Sequence, residues 1–443
     1  RLLARCDGHE AAGLVEQVRE AALTLPVVED AIAALSESDL ASQLVAVHFL
    51  GIVREERVVV PILRAARDEA LRETCLATLG ELGPLAEAAL DAAWPQLDAA
   101  ARHDACRLFA GAQGGASAAR LLAALEAGAP ELRVEATRAV ARRGLAAALP
   151  ILLRRLESAA ETDDPEGEEE RAALTEALVA LAGVPAQADP TLDLLASRLG
   201  AAGDGARLAI ATVLGRVGRA ADIATVTLLL KDPSAEVRRA AVEALGRLDP
   251  GTAPEPLRLA LGDEVAEVRM AAVAALGAVG SDSMLDDIER LAEDGDARVR
   301  AAAIRAVGRR VVGCRDAALR ARALGRLDAA LDDTGLVALA AVEALRELGG
   351  PAARGVARVV GRPEPELARE AVACLASHGD ADDLAVLVGL LGHAEWVVRA
   401  EAIAALAERR CVRAVPAILR RLETEQDEFV RAAILRALQR LEG

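Results

Sequence analysis

Apolar residues recur in one fixed phrase between Lys231 and Arg310. It reads KDPSAEVRRAAVEALGRLDP, then GDEVAEVRMAAVAALGAVG, then EDGDARVRAAAIRAVGRR. Val237, Val268 and Val299 fall 31 residues apart, and so do Gly246, Gly277 and Gly308. Within AEVRRAAVEALGRL the apolar positions are Val237, Ala241, Ala244, Leu245 and Leu248. Their spacing places them on one face of a helix. Pro233 and Pro250 bracket that helix, and the apolar run IATVTLLLKD predicts a second helix before it. Two such helices cannot bury their apolar faces alone. A fixed period of about 30 residues therefore predicts stacked helical hairpins, a solenoid. Alanine at the facing positions lets helix axes approach closely, and Ala and Leu both favour helix.

With Gly246 as the anchor, the phrase can be followed along the whole chain. Anchors fall at Gly51, Gly80, Gly111, Ala141, Val179, Gly215, Gly246, Gly277, Gly308, Arg346, Ala376, Ala407 and Gln439, which makes 13 copies. Residues 9–35 carry two further helical stretches broken near Pro26, a candidate first cap, so the expectation is about 13–14 repeats. Three spacings are longer than the rest. The first holds ESAAETDDPEGEEE, residues 157–170, in which eight of 14 residues are acidic. It reads as a solvated loop inserted between degenerate N-terminal repeats over 1–156 and C-terminal repeats over 171–443. The second, near 184–205, reads as a longer turn. The third predicts a lengthened helix near 315–331.

Composition sharpens this picture. A chain of 443 residues is too long for one ordinary core, a limit that a solenoid escapes because each repeat touches only its neighbours. Hydrophobic residues make up 53% but aromatics only 1%, with no tyrosine, so an all-α core of Ala, Leu and Val is expected. The net charge of −17 argues against nucleic acid and anionic membranes as partners. Lys231 is the only lysine, and it sits before Asp-Pro in a repeat turn, which excludes a P-loop and a kinase-type phosphate lysine. The cysteines Cys6, Cys75, Cys106, Cys314, Cys374 and Cys411 form no C-x-x-C pair and no zinc spacing. Cys75 and Cys106 fall where the clear repeats have Ala241, the place of a small buried residue. This usage points to a reducing, cytoplasmic setting. Apolar runs such as LVAVHFLGIV are too short to span a bilayer, so membrane insertion is not expected.

The VRxAAxxALGxL phrase resembles the HEAT repeat, in particular the short subclass found in phycobilin lyases, over nearly the whole chain. The resemblance implies a right-handed superhelix with first helices outside and second helices inside. It also implies an Asp–Arg ladder between repeats, matched here by Asp232 with Arg238, Asp263 with Arg269, and Asp294 with Arg300. Arg72, Arg133, Arg171, Arg207, Arg399 and Arg431 match the arginine alone. Gln43, His103, Ala338 and Ala368 depart from it, and interruptions are expected there. Among enzymes with similar repeats, deoxyhypusine hydroxylase holds two irons with several His-Glu pairs. Only His9-Glu10 has that form here, with His103-Asp104 next, so no metal site is expected. Nor are a catalytic residue or a cofactor expected.

What remains is a surface. Three offsets from the anchor trace the exposed stripe of each second helix. Between Ala141 and Gly308 they collect Arg138, Arg142, Arg216 and Arg239, then Arg247, Arg305 and Arg309. Glu176 and Glu243 are the only acids in that set. An acidic chain thus carries a locally basic inner groove, suited to the carboxylates of an acidic peptide or protein segment. The competing reading pairs some of these arginines with nearby glutamates. Trp396, just before its VR phrase, is a second candidate contact or a cover for its turn. The expected function is a non-catalytic scaffold or adaptor that binds another protein. The alternative is a lyase- or chaperone-like subunit that presents a cofactor or client.

Overall fold

The computed structural model describes residues 26–36, 39–159, 165–248, 254–279, 282–312, 314, 316–360, 362, 364–378 and 381–442. Among these every regular element is a helix and none is a strand. The chain is an all-α solenoid. It divides into two compact units, Arg1–Gly218 and Arg219–Gly443, a different place from the acidic block.

The first unit runs α1 (Val27–Ala34), α2 (Leu40–Val53), α3 (Glu56–Ala65), α4 (Glu69–Leu82), α5 (Pro84–Ala93) and α6 (Ala99–Phe109). It continues through α7 (Gly115–Ala127), α8 (Pro130–Arg143), α9 (Leu149–Ala159), α10 (Pro165–Ala182), α11 (Ala188–Arg198) and α12 (Asp204–Val217). Consecutive helices pair as hairpins. Even-numbered helices pack on even-numbered neighbours, so the hairpins stack in two layers. Aspartates start several second helices. Asp39 accepts from the Ala41 and Ser42 N–H groups, Asp68 from Ala70 and Asp98 from Ala101, satisfying donors that the first turn leaves open.

The second unit opens with α13 (Ile223–Leu228), α14 (Ala235–Leu248), α15 (Pro254–Ala260), α16 (Ala266–Val279), α17 (Asp282–Arg290) and α18 (Ala297–Val311). Then come α19 (Ala317–Ala330), α20 (Gly335–Leu348), a 3-10 helix over Gly350–Val359, and α21 (Pro365–His378). It ends with α22 (Ala381–Gly389), α23 (Trp396–Glu408), α24 (Val415–Thr424) and α25 (Glu428–Glu442). Here the second helices α14, α16, α18, α20, α21, α23 and α25 pack one on the next, while α15, α17 and α19 touch one another little.

The phrase ALG explains the tight layer. A methyl group on Gly246 would stand 2.8 Å from the Ala275 Cβ, and one on Gly277 would stand 3.0 Å from the Ala306 Cβ. At Gly308 the Ala344 Cβ crowds the same place. The glycine of one second helix is therefore the seat for an alanine of the next. Because α14 is flanked on several sides, it buries more than one stripe. Val237, Ala241 and Leu245 are fully buried as expected, but so is Val242, whereas Leu248 is only half-buried.

Two local expectations meet a different outcome; the stretch 184–205, read as a longer turn, holds α11 at Ala188–Arg198. The stretch 157–170 divides: 157–159 end α9, 160–164 lie outside the described residues, and 165–170 begin α10. Pro165 and the glutamates after it suit a first helical turn, where negative charge meets the positive helix end. The lengthened helix is α19, at 14 residues against nine in α17; Arg315 lies outside the described residues. Pro250, expected as a boundary, is also outside them, as are Cys6, His9 and Glu10.

Candidate partner-binding surfaces

The ladder comes first, because it fixes which charges are already committed. Arg238 donates through Nε and Nη2 to the two carboxylate oxygens of Asp263 at 2.8 and 2.9 Å, and through Nη1 to the Asp232 carbonyl at 2.9 Å. Arg269 does the same to Asp294 and to the Asp263 carbonyl, with all three bonds at 2.8 Å. Arg300 repeats it with Asp333 and the Asp294 carbonyl. The aspartate six residues before each arginine thus offers its backbone, and the next repeat supplies the carboxylate. Asp232 with Arg238, Asp263 with Arg269 and Asp294 with Arg300 are neighbours in the ladder without being its ion pairs.

Burial works against ionisation of Asp263 and Asp294, but the arginine forks and a backbone N–H hold both below the usual carboxylate range. For Asp333 the Arg300 bond is the main cause of a lowered value. Toward the end of the unit Glu425 takes the aspartate's place. Arg399 donates to both its oxygens at 2.8 Å and Arg421 to one at 2.7 Å. The Arg399 bond leads in pulling Glu425 down to about 2.

The first unit uses less regular partners. Arg72 pairs with buried Asp104, and Arg133 forks onto buried Glu170 at 2.6 and 3.0 Å. Positions that lack the arginine are also served. Gln43 Nε2 donates to the Leu35 carbonyl at 3.1 Å. His103 lies 3.7 Å from Asp104 and 3.8 Å from Glu135. In the second unit Arg362 donates to the Asp333 carbonyl at 2.7 Å, near the turn that Ala338 leaves without an arginine. Ala368 is buried and brings no polar group.

The arginine stripe carries mixed charge. Arg138 bonds Glu169 at 3.0 Å, Arg142 lies 3.8 Å from Glu135, and Arg216 pairs with Glu176. In the second unit Arg239 and Arg247 flank Glu243 at 4.0 and 3.7 Å, and Arg305 meets Glu343 at 3.1 Å. Arg309 is exposed, and no ion pair is seen for it among the described residues. Glu343 occupies a stripe offset one copy beyond Gly308; following the stripe as far as Arg346 would have found it. Glu135 and Glu169 lie off the three offsets and become neighbours only through packing.

Between successive second helices run shallow grooves floored by alanine. In the first unit one of about 470 Å³ lies between α8 and α10, with Ala141, Ala173 and Ala177 beneath Arg138, Arg142 and Glu176. In the second unit a small one lies between Arg305, Arg309 and Glu343. A larger one, about 500 Å³, has Ala404, Ala407, Ala433 and Ala437 as floor and Arg436 and Arg440 on one rim. Arg436 and Arg440 sit at the stripe offsets of the last anchor, Gln439, beyond the stretch from which the groove was read.

Trp396 opens α23, is 41% exposed, and stacks on Phe429 with ring centroids 5.4 Å apart. No group of His, Cys, Asp and Glu able to hold a metal occurs among the described residues, and no helix there is long and apolar enough to cross a membrane. Cys75 and Cys106 are buried, and burial is the main cause that pushes their thiols up to about 11 and about 12.

Sequence comparison identifies the repeats. The family description "HEAT repeats" matches residues 192–265, 223–308 and 355–439. This chain contains HEAT repeats. A search of curated proteins finds no match. Among solved structures, the HEAT-repeat chain is similar to Kap121p at 13% identity and a TM-score of 0.58, over 99% of this chain and 56% of that one. It is also similar to Kap121p bound to the extreme C-terminus of the protein phosphatase Cdc14p, at 14% identity and 0.53, over 93% of this chain and 49% of that one. A homology model of the full-length AP-3 complex matches at 11% identity and 0.53, over 100% of this chain and 92% of that one. The chain spans about half the length of Kap121p. At these identities the likeness is one of fold.

Proposed function

We propose that this chain is a non-catalytic, cytoplasmic scaffold whose second-helix faces hold a partner protein. The observation that carries this reading is the recurrence of one groove type. Alanine-floored troughs rimmed by arginine lie between α8 and α10 in one unit and between α23 and α25 in the other. A surface that presents the same chemistry repeatedly suits an elongated polypeptide better than a small substrate. The fold likeness adds support, since Kap121p is seen holding other proteins, the Cdc14p C-terminus and Pho4p among them. The 31-residue period is the reason to place the repeats in the short class.

For the partner we propose an acidic segment, seated first between α23 and α25. Most stripe arginines elsewhere already have a glutamate. Arg436 has no ion pair among the described residues, and Arg440 reaches Glu408 only at 3.9 Å. Two arginines one helical turn apart fit carboxylates spaced likewise.

The test is titration of the full chain with a synthetic helix-forming Ala/Glu peptide at low salt. Saturable binding is expected, weakened at least tenfold by Arg436→Glu with Arg440→Glu and unchanged by Arg154→Glu. Equal binding by the double variant would remove the acidic-partner reading. A purified chain that carries a stoichiometric chromophore or metal would remove the non-catalytic scaffold as well.

A further inference from the structure

The chain has three Phe, two Trp and no Tyr, yet one Trp and one Phe meet on its surface. Phe429 is 70% exposed and Trp396 is 41% exposed. The repeat register says that the core does not require them. The slot of Phe429, one before the conserved-pattern valine of each copy, is filled by Glu236, Glu267 and Arg298 in the clear repeats. That of Trp396 is filled by Ala235, Ala266 and Ala297. Two adjacent repeats therefore carry rings where their siblings carry a surface charge or a methyl group. By contrast, Trp94 stacks on fully buried Phe109 at 6.0 Å and has structural work.

Each exposed ring follows an exposed glutamate, Glu395 before Trp396 and Glu428 before Phe429. Among the described residues neither carboxylate has an ion pair, and Glu395 makes no side-chain cap to its helix. The cations nearest in sequence are occupied. Arg399 serves Glu425 and the His393 and Ala394 carbonyls, and Arg431 serves the Glu425 carbonyl. The patch thus has aromatic faces, two uncommitted negative charges, and the long-range field of a chain of net charge −17.

We propose that the Trp396–Phe429 pair is a docking site for an arginine or lysine side chain of a partner polypeptide, held over the rings with Glu395 and Glu428 as counter-charges. A cation above a ring face is attracted by the ring's electron distribution, and arginine also stacks in the plane. This site is independent of the acidic-segment groove, so either can fail alone.

Trp396 itself reports on the site. In a Trp94→Phe background it is the only tryptophan, and its emission can be followed while the full chain is titrated with acetyl-Leu-Arg-Leu-Arg-amide. A saturable change is expected, at least tenfold weaker for the same peptide with citrulline in place of arginine. Phe429→Ala and the pair Glu395→Gln with Glu428→Gln should each weaken it about tenfold. These side chains are exposed, so urea melts should match the parent; any variant that does not match is replaced by Phe429→Leu, which keeps the bulk and removes the ring. Equal binding of the citrulline peptide, an unchanged response in the variants, or no saturable response would overturn the proposal.

Discussion

Arg238 and Asp263 are joined by two parallel hydrogen bonds across a repeat boundary, while the same guanidinium holds the Asp232 carbonyl of its own repeat. One side chain therefore closes a turn and ties it to the next. The bonds are charge-assisted and largely shielded from solvent, so removing one partner leaves the other stranded. Arg269→Ala should lower stability by about 2–3 kcal/mol, read from urea unfolding. Arg269→Lys should recover less than half, because an ammonium cannot make the fork. A loss under about 0.5 kcal/mol would mean that the rung is ornamental, as exposed ion pairs often are.

Glycine substitutions should split by position. Gly308→Ala puts a methyl against Ala344, an overpacking of about 1–3 kcal/mol that exceeds the gain of about 1 kcal/mol in helix propensity. Net destabilisation is expected. Gly80 lies in α4 with nothing within 4 Å of its would-be Cβ, so Gly80→Ala should stabilise by about 0.5–1 kcal/mol. Thermal melts of the two single variants decide it; shifts of the same sign would contradict the close-approach account.

Acid should unfold the chain through its ladder. Glu425 sits at about 2 against an ordinary 4.5, and Asp263, Asp294 and Asp333 are also lowered. A carboxyl whose folded value is depressed binds fewer protons than in the unfolded chain. Its contribution is complete above the ordinary value and disappears as pH falls through the folded one. Tm should hold between pH 7 and about 5 and fall steeply from about 4.5 toward 2. Arg399→Met should flatten part of that slope by freeing Glu425 to protonate near its ordinary range. A variant with the parent's slope would assign the acid loss elsewhere.

His103 offers a repair experiment. It stands in an arginine slot between Asp104 and Glu135, and the buried Oε1 of Glu135 has no hydrogen-bond partner. His103→Arg should raise stability by about 1 kcal/mol, because a guanidinium carries a fixed charge and a planar fork of donors that can serve both carboxylates. Urea midpoints of the parent and the variant measure it, and a loss would show that the slot has no room for the fork.

The repeat itself was legible in the sequence because Val237, Ala241 and Leu245 return every 31 residues and are fully buried. Each of the 13 anchors falls in or just after a second helix. Partner choice was not legible. Asp232 and Arg238 lie six apart on one turn, but sequence spacing cannot tell a carbonyl from a carboxylate, nor show that a guanidinium reaches forward to the next turn. Glu425, Glu170 and Asp104 do the aspartate's work from other residue types or registers. The acidic run at 165–170 hid a helix start because its charge density outweighed the signal of Pro165. Trp396 and Phe429 lie 33 residues apart, a separation that means contact only once the period is converted into stacking.

The contact of Gly308 with Ala344 has a mechanical side. Where a backbone rather than a flexible side chain bears on its neighbour, the gap between two rods has a hard stop. The two helices cannot come closer there without displacing the Ala344 methyl group. The size of the residue in that slot therefore acts as a shim, setting the spacing of α18 and α20 one methyl group at a time.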